Sequence, residues 1–431
     1  MPTTSATTLK KLRELSQSQV ALALFLVVIV NVVFAIVNPL GKYPPEKLPT
    51  EHSWIWWASQ DFLGQKETPA VVILGSSLLM NPLQEQDATF LDRETDAVLD
   101  HHSMYLESLL NKRFYTTAET GTRNANSARQ SISCFNFAVP GSLMSDNYMV
   151  LRTMLNGDRK PKVVVLGLAL RDFIDNQVTC AAATPSFKYL ARYTDVSDLI
   201  DLAMPNIWQR GEYWLNRRVY LVGKKLDMQA ALSQAASQLQ QETTATGSPM
   251  HDGLLDCRLN AFDMSCYVPG VKSEVERHVW MTKPNLVHTF QDNSAEYRRR
   301  YRSTNKTLFE CQKSFLERFC ELATASNIRV VMVNMPVTTE HAKLMPAGSY
   351  SDYIKCLKAV SARFQAPLVD LNNCGKFTIA DFADTCHMQG SGGKKLLDVI
   401  AAELSEDASI ARSLGVPRPT SKLAEFGRTI Y

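Results

Sequence analysis

Residues Val71–Leu78 read VVILGSSL, a short apolar run that ends in a Gly-Ser-Ser turn. Four consecutive Val, Ile and Leu residues are typical of a strand that is buried on both faces of a parallel sheet. Glycine and serine directly after such a strand predict a tight turn into a helix, whose first N–H groups would face the crevice beyond the strand end. The segment therefore predicts an α/β fold with Ser77 at its crevice.

Similar runs alternate with helical patterns along the chain. The further strand candidates are Phe135–Val139, Val163–Leu168, Val330–Asn334 and Pro367–Leu371. The helix candidates are Leu143–Leu155, Thr307–Ala325, Ser351–Arg363 and Gly393–Leu404. This alternation predicts a doubly wound, mainly parallel five-stranded sheet, a flavodoxin-like three-layer sandwich. We expect this domain at 70–180 and 307–410, a partly helical, partly flexible insertion at 181–306, and a C-terminal tail at 411–431.

An apolar segment precedes the predicted sheet. Val20–Val37, VALALFLVVIVNVVFAIV, contains Asn31 as its single strongly polar residue. A helix of this length spans about 27 Å, close to the hydrocarbon thickness of a bilayer. We prefer an uncleaved transmembrane anchor over 20–40 to a cleaved signal peptide, because the run exceeds a signal-peptide core and no clear cleavage motif follows.

The charges that flank the apolar segment set its expected orientation. Lys10, Lys11 and Arg13 precede it, whereas Lys42 and Lys47 follow it around Glu46. The positive-inside rule then predicts a cytoplasmic tail at 1–19 and an extracytoplasmic domain. Residues 41–69 are expected to form a linker. Its tryptophans, Trp54, Trp56 and Trp57, fit either the membrane interface or packing on the domain.

Composition excludes several classes of protein. The 431 residues are 45% hydrophobic and 21% charged, which excludes a disordered or low-complexity chain. A net charge of +3 is too small to produce an electrostatic field that attracts nucleic acid, so no nucleic-acid partner is expected. The basic run Tyr297–Arg302 fits a solvated helix face or a contact with an anionic glycan or lipid headgroup. Nine cysteines fit an exported domain, with Cys257 and Cys266 the best candidate disulfide.

A second chemical signal lies near the end of the predicted domain. Residues Phe382–His387 read FADTCH. Asp384, three residues before His387, can accept from one imidazole nitrogen and leave the other to take a proton from Ser77. Although a serine in such a turn is often only a helix cap, the ends of parallel strands share one crevice. Ser77, Asp384 and His387 are therefore the candidate nucleophile, orienting carboxylate and base, and this chemistry needs no metal or other cofactor.

Two further strand ends offer donors for an oxyanion. The second predicted strand ends in Phe135–Ser142, FNFAVPGS, where Asn136 and Gly141 are candidates. A glycine allows the backbone N–H to approach a substrate closely. The third strand is followed by Arg171 and Asp172.

These ordered blocks resemble the SGNH, or GDSL-like, hydrolase superfamily. Ser77 takes the place of the family's nucleophile, with Ser76 where Asp is usual, and Gly141 matches the second block. Asp384 and His387 match the late Asp-x-x-His block.

The third block departs from the family pattern, because Arg171 stands where Asn is expected. The resemblance implies that Ser77 and Gly141 contribute to an oxyanion hole. Arg171 either donates there as well or is turned away in an ion pair with Asp172.

A membrane anchor combined with these blocks is most similar to the branch of the superfamily that handles cell-envelope O-acylation, including the D-alanyl-lipoteichoic acid biosynthesis protein and polysaccharide O-acetyltransferases. The resemblance implies an extracytoplasmic O-acyltransferase or acyl esterase that acts on an envelope or exported polysaccharide, commonly beside a membrane-bound O-acyltransferase. The alternative is a catalytically inactive module that binds glycan or scaffolds such a complex, which Ser76 and the altered third block favour.

Overall fold

The computed structural model describes residues 18–43, 53–115, 131–155, 157–225, 227–229, 231–232, 235, 281–372 and 374–416. Two compact units are present: one comprises 1–52 and 206–259, and the other comprises 53–205 and 260–431. The candidate disulfide between Cys257 and Cys266 lies outside the described residues. The seven described cysteines are all free thiols.

The second unit is built on a parallel sheet. The strands in the described ranges are β1 Val71–Leu74, β2 Thr95–Asp96, β3 Cys134–Asn136, β4 Val163–Leu168, β5 Met281–Thr282, β6 Arg329–Asn334 and β7 Leu368–Asp370. Five of them pair in the order β3-β1-β4-β6-β7, and every neighbouring pair is parallel. Strands β2 and β5 form a separate antiparallel pair. The predicted five-stranded parallel sheet is confirmed.

The order of the strands explains where a crevice must lie. If the five sheet strands are numbered by their order in the chain, their order across the sheet is 2-1-3-4-5. The connection that leaves β1 runs to β3 on one side, and the connection that leaves β4 runs to β6 on the other side. The two connections therefore diverge at the β1–β4 pair, and an open α/β sheet binds ligands at such a point. Ser77 follows β1, and Arg171 follows β4.

Helices cover the sheet. In the described part of the chain they are α1 Gln19–Val37, α2 Trp54–Gly64, α3 Ser77–Leu91, α4 Met104–Tyr115, α5 Met144–Thr153, α6 Arg171–Ile174, α7 Pro185–Leu190, α8 Ile200–Ala203, α9 Ile207–Arg218, α10 Tyr220–Gly223, α11 Ser294–Arg300, α12 Lys306–Ala325, α13 Thr339–Ala342, α14 Ser349–Phe364, α15 Gly390–Glu406 and α16 Ala408–Leu414. Helix α15 packs on α3 and α4, and α12 packs on α5 and α14. All residues of β1 and β4 are buried, because both faces of the sheet are covered.

The first unit contains the apolar helix that the sequence predicts. Helix α1, Gln19–Val37, has no buried residue and is the one helix among those described that is long and apolar enough to cross a membrane. Ser18 caps its N-terminus, where the hydroxyl accepts from the Ala21 N–H, and Asn38 caps its C-terminus in a left-handed conformation. A helix that is apolar on every side is suited to lipid rather than to water.

The predicted linker at 41–69 requires a correction. Helix α2, Trp54–Gly64, occupies much of it, and Trp54, Trp56 and Phe62 are buried. The Phe62 ring packs edge-on against Phe135 of β3, at a centroid distance of 5.3 Å. These tryptophans therefore belong to the domain, because burial of their large apolar rings stabilises the fold more than exposure would.

We expect Leu166→Ala to lower the free energy of unfolding by about 2–5 kcal/mol, because it leaves a cavity in the middle strand of the sheet. Leu166 is fully buried, whereas Leu63 in helix α2 is 45% exposed. The matched substitution Leu63→Ala should change the same quantity by less than about 0.5 kcal/mol. Urea unfolding of the full chain in detergent measures both values, and equal losses would contradict the assignment of β4 to the core.

Candidate active site

The turn after β1 presents Ser77 at the start of helix α3. Ser76 is the N-cap residue, but its side chain makes no capping hydrogen bond. The Ser77 N–H donates to no other described group. The first N–H groups of a helix without a capping side chain can bind an anion that comes to the helix N-terminus. Ser77 is half-buried, so its hydroxyl is reachable from the crevice.

A second loop, between β7 and α15, holds Asp384 and His387 in one rigid turn. Phe382 and Met388 form an isolated antiparallel bridge across it. Asp384 Oδ1 accepts the backbone N–H groups of Cys386, at 2.8 Å, and His387, at 2.7 Å. Asp384 Oδ2 lies 2.7 Å from His387 Nδ1. The carboxylate therefore fixes both the loop and the orientation of the imidazole ring.

The structure brings these two loops together. His387 Nε2 lies 2.9 Å from Ser77 Oγ, across 310 residues of sequence. In the neutral ring with its proton on Nδ1, the Nδ1–H donates to Asp384, and Nε2 is then the nitrogen that can accept from the serine. The three side chains that the sequence singles out therefore form one continuous hydrogen-bonded chain, serine to histidine to aspartate.

The charges of Asp384 and His387 shift each other's pKa. Burial on its own raises the pKa of Asp384, but the charge of His387 and the hydrogen bonds that the carboxylate accepts lower it to about 2. Burial opposes protonation of His387, but the charge of the Asp384 carboxylate and its hydrogen bond to the ring outweigh burial, so the pKa of His387 is well above its ordinary value. Asp384 is thus ionised at neutral pH and stabilises a positive charge on the ring.

Gly141 lies in a tight turn beside β1. The Ser142 N–H donates to the Val139 carbonyl at 3.1 Å, with Pro140 and Gly141 between them, and Gly141 has φ +75°. Proline followed by a residue with positive φ is the pattern of a type II turn, which favours glycine at that position. The Val139 N–H donates to the Gly75 carbonyl at 3.0 Å, which attaches this turn to the end of β1. Among the described groups, none accepts the Gly141 N–H.

Arg171 requires a correction to its expected role as an oxyanion donor. Its guanidinium is buried and donates to the carbonyls of Gly141, at 3.0 Å, and Ser142, at 2.8 Å. It also pairs with Asp172, at 3.3 Å, and with Asp175, at 3.2 Å. Arg171 is thus turned away into an ion-pair network, as one sequence alternative holds, and it stabilises the turn that carries Gly141.

The ion-pair network extends into the basic run. Asp175 is fully buried and pairs with both Arg171 and Arg300. Arg300 also pairs with Glu296 at 2.8 Å. A buried carboxylate between two guanidinium groups is compensated, whereas the loss of one partner would leave an unpaired buried charge. The basic run is therefore only partly a solvated face.

A layer of neutral polar groups, which the sequence patterns do not predict, lies behind His387. Tyr297 Oη lies 3.0 Å from Cys386 Sγ. His341 contacts Tyr301 Oη through Nε2 at 3.1 Å and Thr385 Oγ1 through Nδ1 at 3.0 Å. Burial lowers the pKa of His341 to about 4. The signal in the sequence is the pair of tyrosines four residues apart in the basic run, which share one helix face.

A cavity of about 290 Å³ adjoins the Gly141 turn. Arg171, Arg300 and Trp54 line it together with Ser53, whose hydroxyl is buried and has no hydrogen-bond partner within the described ranges. Neither Ser77 nor His387 lines this cavity. It is a mixed polar and apolar space next to the candidate oxyanion donor, close to the smallest volume that ligand sites usually have.

Asp384, Cys386 and His387 also resemble a metal-ligand set, because their ligand atoms lie within 4.8 Å of one another. Their geometry has another explanation. Asp384 and His387 Nδ1 bind each other, and Cys386 contacts Tyr297. Burial raises the pKa of the Cys386 thiol, which disfavours the thiolate that metals bind. Hydrogen bonding within the site accounts for the cluster.

We expect the stability difference between the wild type and His341→Gln to depend on pH. The pKa of His341 is about 4 in the folded protein against an ordinary 6.5, so the unfolded chain takes up a proton first as the pH falls. The wild type should therefore lose about 3 kcal/mol relative to the variant between pH 7 and pH 4. Urea unfolding at several pH values measures this, and a constant difference would contradict the buried neutral state of His341.

Comparison with known proteins adds a family. A comparison with curated proteins gives no match. The model of a family described as "protein of unknown function (DUF1574)" matches residues 122–404. The match includes Gly141, Arg171, Asp384 and His387, and it begins after Ser77. Since it covers more than half of a chain that has an N-terminal apolar helix and a parallel α/β sheet, this protein belongs to the DUF1574 family.

Proposed function

We propose that this protein is a membrane-anchored serine acyl-transfer enzyme of the SGNH type. The observation that carries the proposal is the continuous chain in which Ser77 Oγ lies 2.9 Å from His387 Nε2 and His387 Nδ1 lies 2.7 Å from Asp384. A serine that contacts a histidine, which a carboxylate orients, is the arrangement that activates a hydroxyl as a nucleophile.

The proposed reaction has two half-reactions. Ser77 Oγ attacks the carbonyl carbon of an ester while His387 Nε2 takes the hydroxyl proton, and His387 then gives this proton to the departing alcohol. The acyl group is left on Ser77 as an ester. A sugar hydroxyl or water next loses its proton to His387, attacks the acyl-serine and releases the product, after which the proton returns to Ser77. Atoms and charge balance without any further reactant.

The negative oxygen that forms in each step needs donors. The N–H groups of Ser77 and Gly141 fit this role, since neither donates to another group in the described part of the chain, and the Val139–Gly75 hydrogen bond holds their two turns together. In this proposal Arg171 is a positioning residue. Its contacts with the carbonyls of Gly141 and Ser142 hold the turn in place before substrate binds.

The apolar helix and the resemblance to envelope O-acylation enzymes suggest the setting. We place the N-terminus in the cytoplasm and the sheet domain outside the membrane, on the basis of Lys10, Lys11 and Arg13. The proposed substrate is an envelope or exported polysaccharide, which either accepts the acyl group or already carries it as an ester. Membrane lipid surrounds residues 20–40 in this proposal. A membrane-bound O-acyltransferase is the proposed acyl supplier.

The second candidate is an inactive module of the same fold that binds glycan or scaffolds an envelope complex. Two observations favour it. Ser76 stands where the family has Asp, and Arg171 stands where the family has a donor Asn and is turned into the ion pairs with Asp172 and Asp175. The two candidates differ in whether Ser77 is a reactive nucleophile.

We expect a fluorophosphonate probe to label Ser77 in the detergent-purified full chain. The probe reacts with serines that a base activates, so His387→Ala should reduce the labelling rate by about 10²–10⁴. Ser77→Ala should abolish labelling. Peptide mass spectrometry identifies the modified residue.

The matched control is His102→Ala, because His102 is an exposed histidine away from the hydrogen-bonded chain. It should label as the wild type does. If folded wild-type protein does not label at Ser77, or if His387→Ala labels equally fast, the inactive module becomes the better explanation.

The rate of labelling should also rise with pH through the pKa of His387. The imidazole must be neutral to take the serine proton, and the pKa of His387 lies well above its ordinary value. Asp384→Asn removes a negative charge that stabilises the imidazolium, so the midpoint should move to lower pH while the plateau rate falls. Labelling rates between pH 5 and pH 10 measure both changes, and a midpoint that stays in place or rises would contradict the role of Asp384.

A further inference from the structure

Helix α9, Ile207–Arg218, carries an unusual distribution of side chains. Its sequence is IWQRGEYWLNRR. At 100° per residue, four large apolar side chains fall on one side of the helix, and they are Ile207, Trp208, Trp214 and Leu215. Residues on the other side are polar, including Gln209 and Asn216. The helix is strongly amphipathic.

The apolar side of α9 is exposed. Trp208 is 82% exposed and Ile207 is 73% exposed, and Trp214 and Leu215 are exposed as well. On the polar side Gln209 is half-buried, whereas Asn216 is exposed. A helix on the surface of a water-soluble domain turns its apolar side inward, whereas α9 presents that side outward. Four exposed side chains of this size on one side of a helix mark a surface that another apolar phase covers.

The contacts of the segment that follows α9 indicate what covers this surface. The next helix, α10, packs directly on the membrane-span candidate α1. The Leu221 N–H donates to Asn31 Oδ1 at 3.2 Å, and the Tyr220 hydroxyl donates to Asn38 Oδ1 at 2.9 Å. The Tyr220 ring also lies 6.3 Å from the Phe34 ring. The segment that follows α9 is therefore held against the second half of α1.

These contacts also set a depth. Asn31 lies six residues before Val37, the end of α1. At 1.5 Å per residue this is about 9 Å below the end of the apolar segment. Amphipathic helices at a membrane surface bury their apolar side about 5–10 Å into the boundary between headgroups and acyl chains. The contacts thus hold the α9–α10 connection at the depth of the membrane interface.

The charges of α9 suit the same location. The helix contains Arg210, Arg217 and Arg218 against Glu212, which leaves an excess of two positive charges. Arg218 stacks over the Trp214 ring with its guanidinium carbon 5.6 Å from the ring centroid. Arginine side chains extend from an apolar surface toward lipid phosphates, and tryptophan prefers the headgroup region. The positive charge of α9 and its exposed apolar side chains therefore both favour a phospholipid membrane as the partner.

We propose that helix α9 is a lipid-binding interfacial helix, which lies in the membrane surface with Ile207, Trp208, Trp214 and Leu215 in the acyl region and its arginines on phospholipid headgroups. This placement of α9 requires only that α1 crosses the membrane, and it is independent of the chemistry at Ser77. The Leu221 N–H, just after α9, gives the Asn31 side-chain oxygen a donor within the apolar span.

The test is photocrosslinking of the full chain in vesicles of phosphatidylethanolamine and phosphatidylglycerol. p-Benzoylphenylalanine replaces Trp208, Leu215, Asn216 or Val27 in separate variants, and all four positions are exposed, so the replacements should not disturb folding. After irradiation, intact mass spectrometry should detect phospholipid adducts at 208, 215 and 27. Position 216, on the polar side of α9, should give none.

A phospholipid adduct at 27 without one at 208 and 215 would overturn the proposal. Equal adducts at 208 and 216 would overturn it as well, because the orientation of the helix would then be wrong. The same variants irradiated in native membranes should again form lipid adducts at 208 and 215, and adducts with a polypeptide there would show that a protein covers this surface instead. None of these outcomes depends on whether Ser77 reacts with a fluorophosphonate.

Discussion

Helix α3 reaches the sheet as closely as it does because Gly167 has no side chain. A Cβ at Gly167 would lie 2.6 Å from Leu79 Cδ2, which is closer than two carbon atoms can approach. Gly167 is in β4 and Leu79 is in the first turn of α3, so the start of the helix packs closely against the middle strand of the sheet. Ser77 lies two residues before Leu79. The absence of a side chain at Gly167 therefore contributes to the place of Ser77 beyond the end of β1.

The charged groups near this serine are arranged around the backbone. Asp384 binds two N–H groups of its own loop as well as the His387 ring, and Arg171 binds the carbonyls of Gly141 and Ser142. Each ion therefore stabilises a turn that carries a site residue. An unpaired buried charge has a high desolvation cost, which these hydrogen bonds and ion pairs offset. The same contacts also favour one conformation of each loop. The neutral layer around His341 adds polar contacts behind His387 without a further charge.

The two compact units differ in where their apolar side chains lie. In the sheet unit the apolar side chains are inside, as the buried strands β1 and β4 show. In the unit that contains α1, most of the large apolar side chains of α1 are exposed, and so are Ile207, Trp208, Trp214 and Leu215 of α9. One polar residue in the span, Asn31, serves as the point where the α10 backbone attaches. This inversion is what a membrane environment requires, since the surrounding phase rather than the interior removes apolar surface from water.

Local patterns in the sequence were sufficient to predict the sheet and the apolar helix, and they singled out Ser77, Asp384 and His387, which meet in the folded chain. Continuous apolar runs identify buried parallel strands, and parallel strands bring the residues that follow them to one edge. The orientation of Arg171, the burial of Trp54 and the polar layer around His341 required the tertiary structure. Whether a guanidinium binds a carbonyl or faces a substrate depends on Asp175 and Arg300, which lie 125 residues apart and meet only in the folded chain. Periodicity reports which side of an element is apolar, whereas the pairing of buried charges is decided by contacts between distant segments.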